Sequence, residues 1–391
     1  MNIGLLNDSF PPTIDGVANA VKNYADIINE SLGKATVITP EYPNIIDNRP
    51  YEVYRYSSIK FKGQMPYRVG NPFSPITLRE LSKKRFDLLH AHCPFASAVL
   101  AKEIQSVSGK NKMPIVFTYH TKFDVDIDNF VTNKRLNSIS KRFVLNNINT
   151  ADEVWSVSQG AIESLRKIGY TGEVLVMPNG TDFKRGKSDI QEIYEVKRIH
   201  GLKDDIPLFL FCGRMMWYKN IKLILDGLKI VADSGCKFRS LFVGDGPDRS
   251  AIEYYARNIG LDDSVVSFLG AIYDRKKIRA YFSCADLFLF PSTYDTSGLV
   301  VKEAAACACP SILVKNSCAA EGVTDMQNGL LIEENADDFA KKIISTVNIP
   351  DFYRKLGLDA EKNVYISWED SVKKAYDRYG TVIENFYKNN K

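Results

Sequence analysis

Little in this chain points to metal, disulfide or nucleic-acid chemistry. Its seven cysteines are an odd number without CxxC spacing, which argues against a zinc knuckle and for reduced thiols in a cytosolic protein. Its four histidines, His90, His92, His120 and His200, form no HExxH pattern. No run approaches the ~18 apolar residues of a membrane-spanning helix. The N-terminal MNIGLLNDSF has neither a basic n-region nor a long apolar core, so it does not read as a signal peptide. A net charge of +4 is too small at this length to argue for nucleic acid as a partner. There is no fixed internal period.

What remains is a soluble-type composition, 45% hydrophobic and 25% charged, over 391 residues, too long for one core and so expected to form at least two domains. Short apolar runs alternate with helical periodicity throughout. Asn2 to Leu6 reads as a strand, Asp15-Gly16 as a turn, and Val17 to Ser31 as a helix, the opening of a Rossmann-like unit. GxGxxG is missing, and Gly16 serves equally as a plain turn glycine or as a site of close ligand approach. Strands are expected at 35–39, 51–56, 87–92, 114–119, 153–157 and 173–177, with helices at 96–107, 134–149 and 159–167. Residues 61–75 look irregular. DVDID (Asp124 to Asp128) has a DxD-like spacing but reads better as a solvated or acceptor-facing acidic turn at the start of a helix than as a metal site. Lys83-Lys84-Arg85 reads as a solvated face, with anionic lipid as the alternative.

After a polar stretch at 183–207 the pattern restarts. Strands are expected at 207–212, 239–243, 265–269, 287–290, 311–314 and 330–332, with one or two helices from Trp368 to Tyr387. The informative stretch is Pro291 to Pro310, PSTYDTSGLVVKEAAACACP. A buried strand feeds a small-residue helix through a glycine loop, which aims free helix amides at the strand's carboxyl end and makes an anion site. Asp295 lies in the loop and Glu303 in the helix. Amides for phosphate and carboxylates for hydroxyls suit a sugar nucleotide. Arg214 and Lys219 follow an earlier strand and bring a planar fork and a point charge within reach of one diphosphate.

The motifs come in a recognisable order: Gly16-Val17, HAH (His90 to His92), TYHT (Thr118 to Thr121), MPNGTD (Met177 to Asp182), CGR…KN (Cys212 to Asn220), VGDGP (Val243 to Pro247), ADLFLFPS (Ala285 to Ser292), the Asp295/Glu303 pair, and Glu321 with Asn328-Gly329. This set resembles glycosyltransferase family 4, across essentially the whole chain. The part around TYHTKF looks most like diacylglycerol glucosyltransferases and phosphatidylinositol mannosyltransferases.

The resemblance implies an α/β fold of two Rossmann-like domains facing across a cleft (GT-B). The expected domains are 1–184 for the acceptor, 185–365 for the nucleotide sugar, and 366–391 as a helix returning to the first. It implies a retaining hexosyltransferase using a nucleotide sugar, UDP-glucose-like, with no metal and no cofactor, the nucleotide sugar being a substrate. The implied catalytic residues are His120, Arg214, Lys219 and Asp295. Donor binding falls to Gly16, Gly244, Ile272, Asp295, Gly298, Leu299, Val300 and Glu303, and the acceptor side to Thr121 and Lys122. Partners are the donor and a lipid or glycan acceptor, with a cytoplasmic location that includes peripheral contact at the inner membrane face. A GDP-mannose-dependent mannosyltransferase and a non-catalytic nucleotide-sugar-binding subunit stand as alternatives. Two residues depart from the family pattern: Asp295 replaces the usual Glu, and Cys309 the usual Gly.

Overall fold

The computed structural model describes residues 1–13, 15–60, 68–349 and 351–389. The chain forms two compact units, Met1–Asn179 with Trp368–Lys391, and Gly180–Ser367. The chain passes between them after Asn179 and after Ser367, where the sequence suggested 184 and 365.

The first unit is built on a seven-stranded parallel sheet. In spatial order its strands are Val53–Tyr56, Lys34–Pro40, Asn2–Leu6, Leu88–Ala91, Ile115–Tyr119, Glu153–Ser156 and Leu175–Val176. Four of these strands bury nearly every residue, because helices cover both faces and period-2 patterning is lost. The strand order reverses between Asn2–Leu6 and Leu88–Ala91. Loops leaving such a switch point open a crevice at the carboxyl edge of the sheet. The loop carrying Gly16 leaves one of these strands, His92 directly follows the other, and His120 follows the next strand along.

Helix Trp368–Asn389 belongs to this unit and packs on helix Gly16–Ile27. Arg378 Nε and Nη2 donate to Glu153 at 2.9 and 2.7 Å, and the Tyr379 ring stacks on Trp155 at 5.4 Å. The tail is thus a single helix, anchored by a bidentate ion pair and an aromatic stack together with hydrogen bonds such as Ser371 Oγ to the Pro178 carbonyl.

The second unit has a six-stranded parallel sheet ordered Val266–Gly270, Arg239–Val243, Leu208–Cys212, Leu287–Leu289, Ser311–Val314 and Leu330–Ile332. Its switch point lies between Leu208–Cys212 and Leu287–Leu289, the two strands that lead to Arg214/Lys219 and to Asp295.

Several local expectations change. The first helix ends at Ile27 and continues as a wider π-turn, Ile28–Leu32, that closes on Gly33. Residues 61–67, including Pro66, lie outside the described residues. Just beyond them Arg68–Gly70 pairs antiparallel with Ser58–Lys60, so the segment is not irregular throughout. DVDID opens a helix as expected, Phe123–Phe130, but is solvated only in part: Asp124 is buried and accepts from Ser164, while Asp128 is exposed and pairs with Lys141 at 2.6 Å. The strand expected at 173–177 shrinks to Leu175–Val176. Lys84, expected in a solvated basic face, bonds Glu52 at 2.6 Å. Helices Pro75–Ser82 and Phe352–Asn363 had no counterpart in the sequence reading.

Candidate active site

The second unit's site forms where two loops leave the switch point. After Leu208–Cys212 comes Gly213-Arg214, then a 3-10 turn, Trp217–Lys219. After Leu287–Leu289 comes Pro291 to Gly298, which leads into helix Leu299–Ala306. Lys219 Nζ lies 2.6 Å from Asp295 Oδ1, and Ser292 Oγ donates to Asp295 Oδ2 at 2.5 Å. The two predicted residues therefore form one ion pair that ties the loops together, with side chains 12% and 24% exposed. Asn220 fastens the same junction: its Nδ2 donates to the Pro291 carbonyl at 2.9 Å and to Glu334 Oε1 at 2.6 Å. Arg214 is exposed and enters no ion pair among the described residues. Tyr218 and Tyr294 flank the pair with ring centroids 4.6 Å apart.

Two glycines are dictated by geometry. Gly298 caps the helix in the left-handed region, φ 55°, and an added Cβ would lie 2.9 Å from Ala319 Cα. Gly244, at φ 142°, follows Arg239–Val243, and a Cβ there would fall 1.8 Å from the Gly213 carbonyl oxygen. Only glycine lets these neighbouring loops close on each other. The helix begins at Leu299, and while the Val301 amide bonds the Gly298 carbonyl at 2.9 Å, those of Leu299 and Val300 have no intrahelical acceptor and are available to an anion. Ile272 lies half-buried in the loop after Val266–Gly270.

Glu303 is four residues into the same helix. Burial pushes its carboxyl up, and the Arg275 guanidinium beside it pulls the other way. Its neighbour Lys302 is pushed down to about 8 by burial, with Glu321 opposing. Arg275 Nη2 donates to Glu303 Oε1 at 2.7 Å, and Arg275 Nε to Asp182 Oδ2 at 3.0 Å. Sequence reading missed Arg275, which sits in a polar YDRKK run that looks like any solvated helix start. Asp182 was visible only as part of MPNGTD.

The first unit holds the other predicted residues. Helix Gly16–Ile27 is capped by Asp15, whose Oδ1 accepts from the Ala18 amide at 2.7 Å, and a Cβ on Gly16 would meet nothing within 4 Å. That glycine is a first-turn residue beside open space, so no local steric demand requires it. His120 is buried, and burial pushes its imidazole down to about 3, so it is neutral. Its Nε2 lies 3.0 Å from His92 Nδ1, and the two rings stack at 5.2 Å. His90 lies behind them, its Nδ1 2.6 Å from Tyr379 Oη and its Nε2 2.7 Å from Thr118 Oγ1. The packed-histidine reading and the ligand reading thus meet in one chain of buried rings at the sheet edge. Thr121 and Lys122 follow His120, and the Lys122 carbonyl accepts from Val125 and Asp126 as the next helix begins. Among the described residues, no three His, Cys, Asp or Glu side chains group closely enough to hold a metal ion.

A phosphate-suited helix terminus, two cations and two carboxylates at the switch point of a parallel sheet are the parts of a group-transfer enzyme. Residues 14–185 match the family model described as Glycosyltransferase Family 4, and residues 192–363 match that described as Glycosyl transferases group 1. The two models together span most of the chain, which is a glycosyltransferase of the family 4 kind.

Among its relatives, the alpha-monoglucosyldiacylglycerol synthase of Streptococcus pneumoniae is 24% identical, over 99% of this chain and 88% of the relative. A GDP-mannose-dependent alpha-(1-6)-phosphatidylinositol dimannoside mannosyltransferase of Mycobacterium tuberculosis is 28% identical over about half of each chain, 52% and 51%. Of solved structures, Anabaena HepE in complex with UDP superposes with a TM-score of 0.77 at 19% identity, covering 97% of this chain and 100% of that one. Sucrose-phosphate synthase from Thermosynechococcus elongatus gives 0.75 at 21% identity, covering 98% and 99%. These likenesses show that the fold is GT-B, with two Rossmann-like units.

Proposed function

We propose that this enzyme moves a hexose from a nucleotide sugar, UDP-linked and glucose-like, to a hydroxyl of a membrane glycerolipid, with retention at the anomeric carbon. The observation that carries the donor half is the junction of Arg214, Lys219 and Asp295 with the glycine-capped helix. Arg214 and Lys219 supply fixed positive charge, and the helix amides supply oriented dipoles, where the departing diphosphate gains charge. In the transfer, the bond from the sugar's C1 to the phosphate oxygen breaks. A bond from C1 to the acceptor oxygen forms on the same face, and the acceptor's proton passes to the departing phosphate. Glu303 accepts from the ribose hydroxyls, Asp295 from the sugar's. His120, neutral and held by His92, orients the sugar, while Thr121 and Lys122 face the acceptor.

Two observations support a lipid acceptor. The S. pneumoniae relative, matched nearly end to end, is named for making a glucosyldiacylglycerol. The second is helix Lys134–Ile148, which exposes Leu136, Ile139 and Phe143 (56%, 63% and 49%) at helical spacing, with Lys134, Arg135 and Arg142 beside them and no acidic residue. An apolar stripe edged by basic residues suits an anionic membrane surface. Among the described residues no helix is long and apolar enough to cross a membrane, so the contact proposed is peripheral. The mycobacterial relative's name keeps GDP-mannose as the second donor reading.

A thermal-shift screen of UDP- and GDP-sugars tests the donor, since a ligand that binds only the folded state raises the melting temperature. Transfer to diacylglycerol in anionic vesicles then tests the acceptor, with proton NMR of the product reading the anomeric configuration. A protein that no nucleotide sugar stabilises refutes the donor reading, and a β-linked product from an α-linked donor refutes retention.

A further inference from the structure

Glu303 does not stand alone. Its side chain, on helix Leu299–Ala306, is only 13% exposed, and Oε1 accepts from Arg275 Nη2 at 2.7 Å. Arg275, whose side chain is 47% exposed, is itself held at three points. It is the first residue of helix Arg275–Cys284, whose N-terminus is capped by Asp274 accepting from the Lys276 and Lys277 amides at 2.9 and 3.3 Å. Its guanidinium meets Asp182 in a two-point fork, Nε to Oδ2 at 3.0 Å and Nη2 to Oδ1. The carbon of the fork lies 4.3 Å from the centre of the Phe183 ring. A planar group held by a carboxylate and a ring has little freedom left, so the proton it offers to Glu303 is fixed in direction.

We infer that Arg275 is a positioning residue for the donor's ribose: it aims Glu303 so that the free Oε2 and the remaining lone pair of Oε1 receive the two ribose hydroxyls. The inference rests on the reading of Glu303 given under Proposed function. A carboxylate has about four acceptor sites, and using one on Arg275 leaves enough for a diol. Burial opposes the charge that makes Glu303 an acceptor and leaves its carboxyl raised, and the guanidinium offsets part of that. Arg275 acts only through Glu303, and Asp182 and Phe183 act through Arg275. A purely structural ion pair would predict lost stability on mutation but no change in how the enzyme senses ribose hydroxyls.

The test is calorimetric binding of UDP and of 2′,3′-dideoxy-UDP, with the matching GDP pair run alongside so that base preference does not decide the result. The ratio of the two Kd values isolates the ribose hydroxyls. The wild type is expected to favour the full ribose by about tenfold or more, the scale of a charge-assisted hydrogen bond. Glu303→Gln collapses that ratio. Arg275→Gln reduces it several-fold and raises the donor KM while changing kcat little. Arg275→Lys, which keeps the charge without the fork, falls between. Arg275→Gln added to Glu303→Gln changes the ratio no further. Asp182→Asn, which leaves Arg275 in place but loosens it, gives a smaller loss and serves if Arg275→Gln fails to fold. If Glu303→Gln collapses the ratio and the Arg275 and Asp182 variants keep it whole, the inference is wrong and the ribose reading stands. If Glu303→Gln keeps the ratio, the ribose reading itself fails. Binding of neither nucleotide overturns both.

Discussion

Replacing Asp295 by asparagine removes the charge that Lys219 faces and nearly nothing of the shape. In the unliganded protein Lys219 Nζ is 2.6 Å from Asp295 Oδ1, so a diphosphate arriving at Lys219 competes with a carboxylate already there. At about 4 Å between charge centres and an effective dielectric near 20, the attraction is on the order of 4 kcal/mol before desolvation is subtracted. With side chains 12% and 24% exposed the pair is neither a surface contact nor fully buried, and a net ~1–2 kcal/mol is the reasonable span. Releasing Lys219 from that competition strengthens UDP binding by about five- to thirtyfold. Transfer moves the other way. Asp295 is the proposed partner of the sugar hydroxyls, and an amide accepts less strongly than a carboxylate, so kcat falls by about a hundredfold. Titration calorimetry with UDP and a steady-state assay on the same preparation separate the two effects. The melting temperature should drop by only about 2–4 °C for a loss of ~1 kcal/mol in a unit of this size. UDP binding that is unchanged or weaker in a folded Asp295→Asn protein refutes the claim that Lys219 serves the diphosphate.

Arg214→Ala, which removes an exposed side chain with no ion-pair partner among the described residues, should leave the melting temperature within about 2 °C of wild type and abolish measurable transfer. Gly298→Ala places a side chain at φ 55° and 2.9 Å from Ala319 Cα, costing about 1–3 kcal/mol and weakening UDP binding; thermal melts and calorimetry read both. His90, His92 and His120 are all held well below the ordinary value of 6.5, chiefly by burial. The unfolded chain therefore binds their protons first, and stability falls as pH drops below about 6.5. With three such groups the loss is about 4 kcal/mol between pH 7.5 and 5.5, measurable by urea unfolding at each pH, and a flat profile refutes it. Ile139→Ser with Phe143→Ser should cut sedimentation with anionic vesicles several-fold and leave binding of UDP in solution unchanged.

The alternation of strand and helix was legible because both sheets are parallel and covered on both faces, so their strands stand out as short apolar runs such as Leu287 to Phe290. The loop acids and cations were legible because strand ends fix where Lys219 and Asp295 emerge. Their mutual ion pair was not, since nothing local in PSTYDTSG says that Asp295 points at Lys219. Arg275 was hidden for the same reason, because only the folded chain brings Asp182 and Glu303 to either side of it. Helix Phe352–Asn363 escaped because it is mostly polar and carries Gly357, required there because a side chain would fall 2.0 Å from the Ala308 carbonyl oxygen. His92 was visible as part of a strand-end motif. Its partner, His120, follows the neighbouring strand, and the pairing appears only when the two strands lie side by side.

Helix Trp368–Asn389 completes the first unit, yet the whole of Gly180–Ser367 is made before it. On the ribosome the second unit therefore has its entire sequence available while the first still lacks the residues that stack on Trp155, bond His90 and pair with Glu153. Domains generally fold as units as they are synthesised. Here the order of maturation runs against the order of the chain: the segment translated first is finished last, and a message cut short before codon 368 yields the whole sequence of the second unit joined to a first unit whose buried histidine chain has lost the Tyr379 contact.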